Sequence, residues 1–127
     1  MHRSRLGAVI IDCRTEDLDR AAEFWAKALN RPARKPQDPA DGNYRELQTP
    51  PGEIAVAVQE VEHQSRVHID IETDDIEAEV ARLEKLGARR VAFVKRWWVM
   101  EAPTGQRFCV VRPQRADFAS GANEWPG

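Results

Sequence analysis

Ile11-Asp12-Cys13-Arg14-Thr15-Glu16-Asp17-Leu18 and Ile69-Asp70-Ile71-Glu72-Thr73-Asp74-Asp75-Ile76 carry one pattern twice. An offset of 58 aligns Ile11-Asp12 with Ile69-Asp70, Thr15 with Thr73, Asp17 with Asp75 and Leu18 with Ile76. Each copy reads as an apolar strand followed by a helix entry. The threonine hydroxyl and the acids behind it suit the unpaired N–H groups and positive dipole end of a first turn. A second echo lies at an offset of 53, Pro50-Pro51-Gly52 against Pro103-Thr104-Gly105. Two copies are too few for a solenoid, so the repetition predicts two similar halves that close on each other and enclose a cleft.

Working outward, residues 6–13 form an apolar, branched strand. Leu18, Ala21, Ala22, Trp25, Ala28 and Leu29 then recur at helical spacing, predicting a core-facing stripe. Asn30 suits a left-handed helix end, and Pro32 prevents continuation. Three prolines and Asp41-Gly42 leave residues 31–43 a short strand at most, then irregular loop. Residues 44–48 and 54–59 read as a hairpin around the 49–52 turn, and the polar stretch 60–65 links the halves. The second half repeats this order. A strand over 66–73 precedes a helix with Ile76, Val80, Leu83 and Leu86 inward and Gly87 as its cap. Strands follow over 91–94, 97–101 and 107–111. Each half is therefore strand–helix–strand–strand–strand. The tail, 113–127, is polar, with Phe118 and Trp125 able to anchor it to a surface.

A chain of 127 residues, 42% apolar and 31% charged, suits one soluble domain with its own core. Net charge is −2 with both signs interspersed, which gives no nucleic-acid footprint. The one basic run, Arg31 to Lys35, reads as a solvated loop. No stretch reaches the ~20 apolar residues of a membrane span, and no leader-like apolar run opens the chain. Two cysteines, Cys13 and Cys109, fit a reducing cytoplasm, with a disulfide between them left open.

Phe24-Trp25, the segment from His68 to Asp75, the helix ending Leu86-Gly87-Ala88 and the hairpin from Ala102 to Val111 together resemble the vicinal oxygen chelate superfamily. This is the glyoxalase, bleomycin-resistance and extradiol-dioxygenase group. The resemblance implies an α+β fold in which two βαβββ modules pair curled mixed sheets around a cup. It makes residues 1–127 a single glyoxalase-like domain, with modules 6–60 and 66–112 and a tail 113–127. It also implies a homodimer. Family metals are held by a residue seven before the acid that starts each helix, and by one six after the proline of each last hairpin. Those positions hold Ile10, His68, Val56 and Cys109. Isoleucine and valine have no lone pair to donate, and a His–Cys pair is too few for a stable zinc site. No cofactor is therefore expected, with a divalent metal as the alternative.

Strand alternation sorts the remaining candidates. His68 and Asp70 share a face, with Asp12 as the repeat partner of Asp70, and Arg107 and Cys109 point the same way from the last strand. Trp97 and Trp98 are consecutive, so one faces each side; Tyr44 is the counterpart of Trp97, and parity leaves Glu101 open. His68, Arg107, Cys109, Trp97, Trp98, Tyr44 and Glu101 are the expected ligand contacts. His68, Asp70 and Asp12 are the expected proton-transfer groups, since two buried acids near each other raise one another's pKa. Each has a plainer reading: a structural histidine, aspartates that bond loop N–H groups, a cysteine that acts as a small apolar residue.

The leading functional expectation is a glyoxalase-like small-molecule binding protein with a metal-free cup. The alternative is a lyase, isomerase or dioxygenase of the same superfamily, with His68 and an aspartate in proton transfer or metal binding. A third class, an interaction module, rests on exposed tail aromatics. The expected partners are a small-molecule ligand and a second copy of the chain, with no nucleic acid and no membrane.

Overall fold

A computed structural model describes residues 1–126. The first module comprises β1 (His2–Arg14), α1 (Leu18–Leu29), β2 (Ala33–Arg34), a 3-10 turn (Pro39–Asp41), β3 (Tyr44–Leu47) and β4 (Ala55–Val61). The second comprises β5 (Arg66–Thr73), α2 (Ile76–Lys85), β6 (Arg89–Val94), β7 (Trp97–Glu101) and β8 (Arg107–Val111). A short helix α3 (Phe118–Gly121) and a strand β9 (Asn123–Trp125) follow. The α+β class and the repeated βαβββ order are both present.

The helix entries form as the repeat predicts. Asp17 and Asp75 accept from the backbone N–H groups of Arg20 and Ala78, while Thr15 and Thr73 bond the N–H groups of Asp17 and Asp75. Asn30 ends α1 at φ 55, and Gly87 follows α2 at φ 109. The apolar stripes are shorter than the periodicity predicts. Leu18 and Ala22 are buried on α1, with Ala21, Trp25 and Ala26 packed beside them, but Ala28 and Leu29 are exposed. On α2, Val80 and Leu83 are buried and Leu86 is exposed, because the helix has ended before its side chain can reach the core.

The chain folds as two compact units, 9–67 and a second made of 1–8 with residues 68 onward. In the first unit β2, β3 and β4 run antiparallel, and Leu47, Val56 and Val58 pack under α1. In the second, β5 is parallel to β8, and β8, β7 and β6 continue antiparallel. Its core is Val80, Leu83, Met100, Phe108 and Val110, with Ile71 and Trp98 against it.

The tail is part of this second unit, held there by the two aromatics that the sequence offered as anchors. β9 pairs with the first residues of β1, His2 opposite Trp125 and Ser4 opposite Asn123. Phe118 is buried beneath the Arg5 guanidinium, and Trp125 donates from Nε1 to Ser4 Oγ at 2.8 Å with Arg82 stacked on its ring. These aromatics are used internally, which removes the basis for an interaction module. The same pairing starts β1 at His2, four residues before the apolar run. Both cysteines are free thiols. Among the described residues, no helix is long and apolar enough to cross a membrane.

Candidate functional site

The site face follows from strand register in the second unit. Asp70 lies beside Cys109 on parallel β5 and β8, and Cys109 lies opposite Val99 on β7. Because side chains alternate, the rows two residues away share the same face. One row holds His68, Arg107 and Glu101, and the other holds Glu72, Val111 and Trp97. The reverse face carries Ile71, Phe108, Val110, Trp98 and Met100 into the α2 core.

This grid places the sequence candidates. His68, Asp70, Cys109, Arg107, Glu101 and Trp97 stand together on one face. Trp98 does not: it packs on the α2 core, against Phe93 and beneath the Arg90 guanidinium. Its expected contact with ligand is corrected by parity, since Trp98 pairs with the core residue Val110. Tyr44 and Asp12 belong to the first unit. Tyr44 alternates with Arg45, which turns toward α1 and pairs with Asp19 at 2.7 Å. Asp12 is 2% exposed, on the face opposite Cys13, with Arg66 Nε at 3.8 Å.

At the centre, His68 Nε2 stands 3.5 Å from Asp70 Oδ1, and the two side chains are 11% and 14% exposed. Asp70 Oδ1 is buried and makes no hydrogen bond. At the next row, Arg107 and Arg89 both donate to Glu101, at 3.1 and 2.9 Å. Those hydrogen bonds hold the Glu101 carboxyl below its ordinary range, so Glu101 is a fixed anion that orients Arg107 rather than a proton donor at neutral pH.

Glu72, which strand alternation puts on the same face as His68 and Asp70, closes the opposite row. It is fully buried, accepting from Arg5 Nε at 2.6 Å and from the backbone N–H groups of Gln114 and Arg115 at 2.6 and 3.3 Å. Gly7 makes room for it, since a Cβ there would lie 2.9 Å from Glu72 Cγ. The alternation His68, Asp70, Glu72 was the available signal; its partners lie too far along the chain to be read.

The family metal positions need one correction. Counting six residues from Pro50 gives Val56, but Val56 packs under α1. The first hairpin closes Leu47 on Val56, whereas the second closes Met100 on Phe108, so the first loop is one residue longer. The true counterpart of Cys109 is Ala57, which has no donor atom either. Ile10 is buried and apolar. The expected count of two donors nevertheless rises. Ligating atoms of His68, Asp70 and Cys109 lie within 4.8 Å of one another. Asp70 was outside the family's positions and was therefore left out of the count. Three donors are the number that open zinc sites use, so these residues fit a divalent ion.

A separate open cleft of about 390 Å³ lies in the first unit between α1 and β2, lined by Asp19, Lys27, Lys35 and Arg45 among others. Its charges largely compensate, with Lys27 on Glu23 and Arg45 on Asp19, each at 2.7 Å.

The family described as glyoxalase-like domain matches residues 8–111. Among solved structures, methylmalonyl-CoA epimerase from Mycobacterium tuberculosis is similar at 18% identity, with 91% of each chain covered and a TM-score of 0.59. The Streptomyces coelicolor methylmalonyl-CoA epimerase in complex with 2-nitronate-propionyl-CoA is similar at 19% identity, covering 87% of this chain and 98% of that one, TM-score 0.59. A glyoxalase/bleomycin resistance protein/dioxygenase superfamily member from Vibrio splendidus gives 18% identity, 87% and 99% coverage, TM-score 0.53. No curated protein matches this chain.

Proposed function

This chain belongs to the glyoxalase-like domain family, and we propose that it binds a small organic molecule on the β5–β8–β7 face. His68, Asp70 and Cys109 form the polar centre of that site, Trp97 its aromatic end and the Arg107–Glu101 pair its charged end. The observation that carries this reading is the half-buried polar cluster, in which Asp70 Oδ1 is buried without a hydrogen bond. An acceptor in that condition costs free energy until a donor reaches it, and a ligand hydroxyl or amide would supply one. The fold alone does not choose a reaction, because one fold hosts many chemistries.

The alternative is an isomerase- or lyase-type enzyme at the same place. The 3.5 Å approach of His68 to Asp70 favours it, since a carboxylate beside an imidazole orients the ring for proton transfer to an enolisable substrate. The homodimer implied by the family resemblance, and the cytoplasmic residence that two free cysteines fit, complete the proposal.

The test is calorimetric titration of the full chain with aromatic carboxylates and with acyl-CoA thioesters, the latter chosen because the similar epimerases act on one. Saturable one-to-one binding is expected, weakened at least tenfold by His68→Ala. Binding that His68→Ala leaves intact would remove the site from this face. Substrate turnover lost with the same substitution would select the enzyme.

A further inference from the structure

We infer that the outer edge of β6 is a docking site for an acidic, extended peptide segment, which adds to the sheet as a further strand beside residues 92–94. The inference does not depend on what the β5–β8–β7 face binds.

Backbone, apolar surface and charge converge on this edge. Among the described residues β6 is paired by β7 alone. Its outer edge therefore presents N–H and C=O groups that no strand takes up, a ready template for another chain. A register shift between Arg90 and Ala92 interrupts the ladder and confines the regular edge to residues 92–94. Phe93 is 56% exposed there and Val94 38%, and an exposed apolar edge is the kind that recruits a partner strand. Phe93 stands edge-to-face on Trp98 at 5.4 Å, so it meets a partner as a fixed ring. The whole chain carries a net charge of −2, yet every charged residue between Glu84 and Glu101 is basic: Lys85, Arg89, Arg90, Lys95 and Arg96.

The charges choose the occupant. Arg89 and Arg90 meet Glu101, Glu77 and Glu84 at the start of β6. Lys95 and Arg96 form the exposed two-residue turn at its other end. A second copy docked antiparallel on this edge would set Arg89 and Arg90 near Lys95 and Arg96, and cross-strand pairs resist like charges. A strand that alternates acids with apolar residues gains opposite-charge contacts instead, and its apolar side chains cover Phe93. Ladder hydrogen bonds would supply the affinity and the cations the selectivity. The turn backbone points the same way. Lys95 takes φ 52, the left-handed region that favours glycine or asparagine in a two-residue turn. A lysine kept there holds a cation at the end of the strand at a conformational cost.

The test uses the full-length protein and two end-capped hexapeptides, one alternating glutamate with valine and one alternating lysine with valine, followed by amide NMR shifts. The glutamate peptide is expected to bind saturably, with shifts centred on residues 91–96, at least tenfold more tightly than the lysine peptide. Methylating its backbone nitrogens removes the binding, because the ladder donors are lost. Lys95→Gly should raise the Tm, since glycine suits the backbone there, and still weaken the peptide at least threefold. The double substitution Lys95→Glu with Arg96→Glu should weaken it at least tenfold. A glutamate peptide that does not bind the wild-type protein overturns the inference, as does equal binding of the lysine peptide or binding that survives N-methylation. Capture by phosphatidylserine vesicles without any peptide-induced shift at β6 also overturns it, and would assign the basic turn to a membrane surface.

Discussion

Glu72→Ala is expected to destabilise the protein by about 3–5 kcal/mol, the usual cost of removing one partner from a buried charge cluster. The carboxylate is fully buried, and both oxygens are occupied. Arg5 Nε reaches one at 2.6 Å, with Arg115 Nε 3.7 Å away, and the Gln114 and Arg115 N–H groups bond the other. Truncation leaves two guanidinium groups and two backbone donors facing a void. A chain of this length should then lose roughly 10–20 °C of Tm. Gln114 and Arg115 begin the segment that carries α3 and β9, so that segment should also become sensitive to protease before the rest of the chain. Glu72→Gln, which keeps an acceptor oxygen but not the charge, should fall between the two. A Tm shift under about 2 °C for Glu72→Ala would show that the cluster is not holding the tail.

A second large effect is expected at Glu79. This residue lies on the apolar stripe of α2 with no exposure, accepting from His2 Nε2 and Ser4 Oγ at 2.8 Å each. Arg82, one turn on, donates twice, at 2.9 and 2.7 Å. Burial pushes the carboxyl up, but the hydrogen bonds from Arg82, His2 and Ser4 together outweigh it and hold the group below its ordinary range. A depressed folded value contributes stability that is fully present above the unfolded pKa of about 4.3 and is lost as pH falls through the folded value. Glu79→Ala should therefore cost about 3 kcal/mol or more at neutral pH. Glu79→Gln should flatten the acid limb of the stability profile relative to wild type. Urea melts at pH 7 and pH 3 check both; parallel acid limbs in the two proteins would remove Glu79 from the account.

These two carboxylates also mark what the sequence concealed. Helix entries, hairpins and the strand order of both modules were legible, because caps, turns and alternation are local. Glu79 was not, because a stripe defined by apolar residues passes over a carboxylate whose partners are 75 and 77 residues away. The tail was illegible for the same reason: β9 needs His2–Ser4, at the opposite end of the chain, to become a strand.

The candidate face was half legible. Alternation put His68 and Asp70 together and sent Phe108 and Val110 to the core. It could not choose between Trp97 and Trp98, which needed the pairing of Trp98 with Val110. Nor could it see that one extra residue in the first hairpin turns Val56 inward. Counting from a proline is safe only where loop lengths match. The same reliance on inherited positions hid Asp70 as a third donor.

The central claim is that the face bearing His68, Asp70, Cys109 and Trp97 is where a small molecule binds. Amide and side-chain NMR shifts, followed during titration with aromatic carboxylates and acyl-CoA thioesters, test it most directly. The account predicts saturable shifts centred on these four residues, abolished in His68→Ala. Saturable shifts centred elsewhere, such as the α1–β2 cleft around Lys27 and Lys35, would contradict it.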